Sequence, residues 1–277
     1  MVVVDERETV ARRYGEHLTD RDLLVLAGGR ADQVPALRRE PTLVLDLLDR
    51  PGVADAVLTA RREEAGRFAH LSPFLLFAAA VHRVGNALAG SSYVADRAGP
   101  RSRVPVFDGP VLAAFASRPL HRLFLAELLA SYARIASGVV RRHGTHGWRR
   151  QRWDELDLPR LAALLTAVPD VEQPGVWRRI GDGALFLAGV FPEYAQRSLG
   201  PVEVARLQRA AGLRLARTEG DVCELLEELA AAAYYRVGSG VPRTVRETPR
   251  SARRVLTLVA DRYLFPLAGH WLPAPGA

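Results

Sequence analysis

The chain of 277 residues contains no lysine, so all 38 of its lysine-plus-arginine total is arginine. A GxxxxGK[ST] phosphate loop is therefore excluded, and no GxGxxG opens a helix after a strand. Cysteine is nearly absent. Cys223 stands alone, so no intrachain disulfide forms and a secreted, disulfide-stapled scaffold is ruled out, which favours a reducing compartment. Long hydrophobic runs are missing too: Phe74–Val81 with its neighbours is about half of what spans a bilayer. The first residues, MVVVDERETVARR, lack the apolar core of a signal peptide. These absences lead us to expect a soluble cytoplasmic protein with no membrane partner. The missing lysine, with the excess of Ala, Leu, Gly and Val, reads as codon bias from a GC-rich genome.

What is present is the composition of a folded protein, 48% hydrophobic and 25% charged. A net charge of +7 permits a polyanionic partner without demanding one, since the arginines are spread along the chain. The dominant period is helical. Leu120, Leu123, Phe124, Leu128, Tyr132, Ile135 and Val139 form one stripe, and 202–217, 221–237 and 249–265 repeat the pattern. Ser72-Pro73, Thr248-Pro249 and Asp221 are N-cap candidates, while Gly90 and Gly238 are stops. The strand-like runs, Val2–Val4 and TLVLDLL (42–48), find no partner, so no sheet is expected. Long connections are expected at 99–110, 141–159 and 238–250. The prediction is an all-α, compact multi-helix bundle of about ten helices. Its central apolar helices lie near 72–89 and 183–191, within a single domain with a subdomain seam near 99–117.

Catalytic signatures are lacking. No GxSxG elbow is present, and Ser91 and Ser92 read as the N-cap of a segment SYVADRAG. Neither HExxH nor ExxH occurs. His143 and His146 form an HxxH that Cys223 would have to complete, but glycine-flanked ligands two in number suit a loop better than a zinc site. Cys223, in a predicted first helical turn, reads as a small buried hydrophobe. No catalytic residue, metal or cofactor is assigned. The acid cluster Glu224, Glu227 and Glu228 reads as a structural ion-pair network with arginines.

Two stretches hold the candidate sites. RRHGTHGWRRQRW (141–153) interleaves five arginines with two histidines and two tryptophans. Arginine neutralises phosphate and tryptophan stacks on bases, so Arg149, Arg150, Arg152, Trp148 and Trp153 are the nucleic-acid candidates on a predicted loop. The competing reading folds the tryptophans into the core beneath arginine stems. In GDGALFLAGVFPE, Asp182 heads an otherwise apolar segment. It either caps a helix starting at Gly183 or lies within a longer helix, where burial demands a partner such as arginine. Gly189 marks a close backbone approach. A functional reading joins Asp182, Phe186, Glu193, Tyr194 and Tyr235 as a ligand pocket at the helix end.

GDGALFLAGVFPE, followed by AYYRVGSG, resembles a pattern of uncharacterised bacterial, actinobacterial-type helical proteins: Gly-Asp, Leu-Phe, Gly-x-Phe-Pro-Glu, then Tyr-Tyr-x-x-Gly. LSPFLLFAAAVHR and SYVADRAG resemble further parts of it. The resemblance covers about two-thirds of the chain and implies a helical fold without supplying chemistry. The leading expectation is a non-catalytic protein that binds a partner protein or a small-molecule ligand. The alternatives are nucleic-acid binding through 141–153 and an enzyme with an acid–base site at 182–194.

Overall fold

The structure is a computed structural model. It describes residues 5–63, 71–97, 103–144, 147–214 and 222–267, and their side chains except at 59–63, 97, 140–144, 147–151 and 267. The fold is all-α, with fifteen α-helices and two small two-stranded ribbons among the described residues. No described helix is long and apolar enough to cross a membrane. The described residues divide into two compact units, one drawn from 5–133 and 258–267, the other from 134–257. The 99–117 stretch lies within the first unit.

The first unit runs α1 (Glu6–His17), α2 (Asp20–Leu26), α3 (Val34–Arg39), α4 (Thr42–Leu48), α5 (Pro51–Glu63), α6 (Pro73–Leu88), β1 (Val94–Arg97), β2 (Arg103–Val106), α7 (Gly109–Ala116) and α8 (Pro119–Ser131). α6 is its centre. The Ser72 hydroxyl accepts the Leu75 amide at 3.2 Å and Pro73 takes the first helical position, so the start is set chemically. Twelve of its sixteen residues are buried, which is what an all-round apolar helix requires. α5, α7 and α8 pack against it.

The second unit runs β3 (Ser137–Gly144), β4 (Gly147–Asp154), α9 (Leu158–Ala163), α10 (Gln173–Val190), α11 (Pro192–Ser198), α12 (Pro201–Ala211), α13 (Val222–Val237), α14 (Arg243–Glu247) and most of α15 (Pro249–Val259). α10 is its spine, buried without interruption from Ile180 to Val190 and packed lengthwise on α13. Glycine allows the close approach. A Cβ on Gly181 would stand 2.5 Å from the Tyr234 ring, and one on Gly189 2.6 Å from Leu256 Cβ of α15. Gly238, at φ +74°, ends α13 in the left-handed conformation that glycine adopts freely. The acid cluster joins this packing as an ion pair from Arg253 to Glu227.

Several sequence expectations need correction. The helical stripe through Ile135 and Val139 breaks, because α8 stops at Ser131 and the chain enters β3. Gly138 disfavours the helix, and the β-branched Val139 and Val140 favour a strand there. The expected loop at 141–153 is a β-ribbon with His143 opposite Trp148, and SYVADRAG begins a strand instead of a helix. Ser91 closes α6, its hydroxyl donating to Ala87 O at 3.0 Å. TLVLDLL is helix α4. The helices are more and shorter than ten. α12, for instance, ends at Ala211, where Gly212 turns left-handed at φ +61°. Asp221 and His146 lie outside the described residues.

Candidate functional site

The strongest polar constellation lies in the first unit, on residues the sequence reading did not single out. α6 brings His82 and Asn86, one turn apart, to the junction of α4 and α5, where Asp49 closes α4. His82 Nδ1 lies 2.9 Å from Asp49 Oδ1, and Asn86 Nδ2 donates to the Asp49 carbonyl at 2.9 Å. From α1, the fully buried Tyr14 places its hydroxyl 3.0 Å from His82 Nε2. From α8, the buried Arg122 donates to Asp49 Oδ1 and to the Ala116 carbonyl at the end of α7. Gly85 makes room for that guanidinium. A Cβ there would stand 3.0 Å from Arg122 Nη2 and 3.1 Å from Ala116 O.

The electrostatics fix the proton positions. Burial holds His82 below its ordinary range, and the Arg122 guanidinium, 3.1 Å from Nδ1, opposes a second ring proton. Burial pushes the Asp49 carboxyl up, but the hydrogen bonds from His82 and Arg122 and the Arg122 charge outweigh it and leave the group below its ordinary range. An ionised Asp49 takes the Nδ1 proton of a neutral His82, and Nε2 then accepts from Tyr14. Burial raises the Tyr14 phenol far above its usual range, so it stays a donor.

This network floors a recess of about 170 Å³ lined by Arg7, Asp49, His82, Asn86, Ser117 and Arg122, with Leu45 and Pro119 as its apolar wall. The Asp49 side chain is 39% exposed, whereas Arg122 is 10% and His82 2%. Arg7 is held at the recess by an ion pair to Asp46. Oδ1 of Asp49 is taken by His82 and Arg122, and no described residue donates to Oδ2. Oδ2 is thus the acceptor left for a ligand.

The sequence candidates fall elsewhere. Asp182 lies well inside the continuous α10, so it caps nothing. Arg178 Nε reaches its two oxygens at 3.0 and 2.9 Å, and the Tyr234 hydroxyl donates to it at 2.8 Å. Burial raises the Asp182 carboxyl above its usual range, against the pull of Arg178 and Tyr234. Phe186 is fully buried and meets Phe191 edge-on at 5.6 Å. Glu193 and Tyr194 lie half-buried in the first turn of α11. Tyr235 is 60% exposed beneath the Arg246 guanidinium, so it is Tyr234 that reaches Asp182.

On the ribbon, Arg152 is exposed and Trp153 half-buried, while the side chains of Trp148, Arg149 and Arg150 lie outside the described ones. Cys223 Sγ lies 3.9 Å from the Ala188 carbonyl, part-buried. Among the described residues, no three His, Cys, Asp or Glu side chains group so as to hold a metal. No family model, no curated protein and no solved structure matches the chain.

Proposed function

We propose that this is a cytoplasmic, non-catalytic binding protein whose ligand is a small polar molecule held in the Asp49–Arg122 recess. The observation that carries the reading is a part-exposed carboxylate anchored from behind by a buried histidine and a buried arginine. Keeping those groups buried is costly without complete pairing, and here the pairing leaves one carboxylate oxygen to the recess. A ligand donor suits Asp49 Oδ2, and the Arg7 guanidinium at the same recess suits a ligand acceptor. The volume is below the roughly 300–1,000 Å³ of drug-sized sites, so the ligand is a small one.

Binding fits this chemistry better than catalysis. Both His82 nitrogens are committed, to Tyr14 and to Asp49, and a carboxylate held below its ordinary range is a weak base. The test is a thermal-shift screen of small polar metabolites against the native protein and Asp49→Ala. A ligand at 100 times its Kd stabilises by about 2.7 kcal/mol. A compound that raises the Tm of the native protein but not of the variant supports the reading. A library that shifts neither protein, or both alike, refutes it.

A further inference from the structure

We propose that the β3–β4 ribbon enters the major groove of double-stranded DNA. The register makes an arrangement that composition alone does not reveal. Arg141 stands opposite Arg150 and Arg142 opposite Arg149, at successive ladder steps. Like charges directly opposed destabilise a ladder. The ribbon carries five arginines against a single acid, Asp154, which stands at its open end opposite Ser137. Charged edges do protect a two-stranded ribbon from pairing with other chains. One arginine per edge serves that purpose, and opposing them adds repulsion that the purpose does not need.

Strand alternation decides the partner. Positions 141, 150 and 152 fall on one face of the ribbon, and positions 142 and 149 on the other. A flat partner, such as an acidic protein surface or an anionic membrane, meets one face only. A groove walled by two phosphate backbones meets both. The major groove of B-form DNA, about 12 Å wide, admits a two-stranded ribbon, whereas the deep, narrow groove of an RNA duplex does not. A single strand is held on aromatic platforms, and one of the two tryptophans of the stretch serves the ribbon's own packing. Trp153 is already committed, since its indole lies across its cross-strand partner Gly138, where a Cβ would meet the ring at 3.0 Å. The register thus separates Arg149 from Arg150 and Arg152, which the sequence reading had grouped together.

The experiment is fluorescence anisotropy with a labelled duplex of about 24 base pairs, titrated from 50 to 200 mM salt. The wild-type chain is expected to bind at 50 mM, with a log–log salt slope of about −4 to −5 for five phosphate contacts. Arg141→Ser/Arg150→Ser and Arg142→Ser/Arg149→Ser each empty one face. Each is expected to weaken binding at least tenfold and to flatten the slope by about 2. Replacing all four arginines by lysine keeps the charge and is expected to retain most binding, which separates lost contacts from a damaged ribbon. Circular dichroism checks that every variant is folded. Failure of the wild type to bind duplex DNA overturns the proposal. So does weakening by only one of the two face variants, which would indicate a flat partner. Tighter binding to single strands, duplex RNA or anionic vesicles than to the DNA duplex also overturns it.

Discussion

Replacing Gly181 by alanine sets two physical effects against each other. α10 is a regular helix there, and helix propensity alone predicts that alanine stabilises by about 0.5–1 kcal/mol. Packing predicts the opposite. The new methyl would lie 2.5 Å from Tyr234 Cε1 and 2.8 Å from Cδ1, closer than real contacts allow. The ring cannot simply swing aside, because Tyr234 is fully buried and its hydroxyl is fixed on Asp182 at 2.8 Å. Overpacking costs about 1–3 kcal/mol. Moving the ring also forfeits a hydrogen bond to a charged group, worth about 1.5–3 kcal/mol. A net loss of about 2–4 kcal/mol is expected for Gly181→Ala, since both costs exceed the helical gain. Urea melts followed by circular dichroism measure it. The same substitution in a Tyr234→Leu background removes the obstacle, and there alanine should be neutral or slightly stabilising. A Gly181→Ala protein more stable than the native one would refute the packing argument. So would an equal loss in both backgrounds.

Asp182→Ala and Asp182→Asn should both cost about 1.5–3 kcal/mol, the worth of hydrogen bonds to a charged group, because either removes the carboxylate charge that the part-buried Arg178 holds. Substantial rescue by asparagine in denaturant melts would contradict the ion pair. His82 makes stability depend on pH. Its folded pKa lies below the ordinary 6.5, so the unfolded chain takes up the proton first. The His82 contribution is therefore fully present above pH 6.5 and is lost as pH falls below it, at up to about 1.4 kcal/mol per pH unit. His82→Asn should flatten the profile between pH 5 and 7, leaving a smaller slope from His121, which burial also holds down. An unchanged profile would show that His82 does not titrate this way. Tyr14→Phe should cost about 1–3 kcal/mol by leaving His82 Nε2 buried without its donor. A neutral result in a melt would reverse the proton assignment.

The helical half of this architecture was readable because its signals are local. Ser72-Pro73 ahead of an apolar run marks α6, and the all-apolar stretch after Asp182 marks the buried spine. The ribbons were not readable in the same way. Alternating apolar and polar residues announce a half-buried strand, but β3 and β4 carry arginine on both faces and so show no alternation. Val139 instead extended the helical stripe of α8 by coincidence of spacing. Asp182 was legible as a buried acid needing an arginine, but the choice between Tyr234 and its neighbour depended on the rotation of α13. The recess was invisible for a different reason. Its five groups come from four separate elements, and only His82 and Asn86 are linked by a spacing rule. One clue was present: His82 and Arg122 are polar residues set within apolar runs, where burial forces each to find a partner.

The division of the chain has a consequence for how the protein is made. Among the described residues, the first unit uses 5–133 and then 258–267, with the second unit encoded between them. On a ribosome adding about 5–20 residues per second, roughly 6–25 s pass between Ala133 and Leu258. All five members of the recess network are already made when that wait begins. Among the described residues, the second unit needs nothing downstream of Thr257, so it can close while the first still awaits residues 258–267. Among the described residues, the unit that starts first is therefore the one that finishes last.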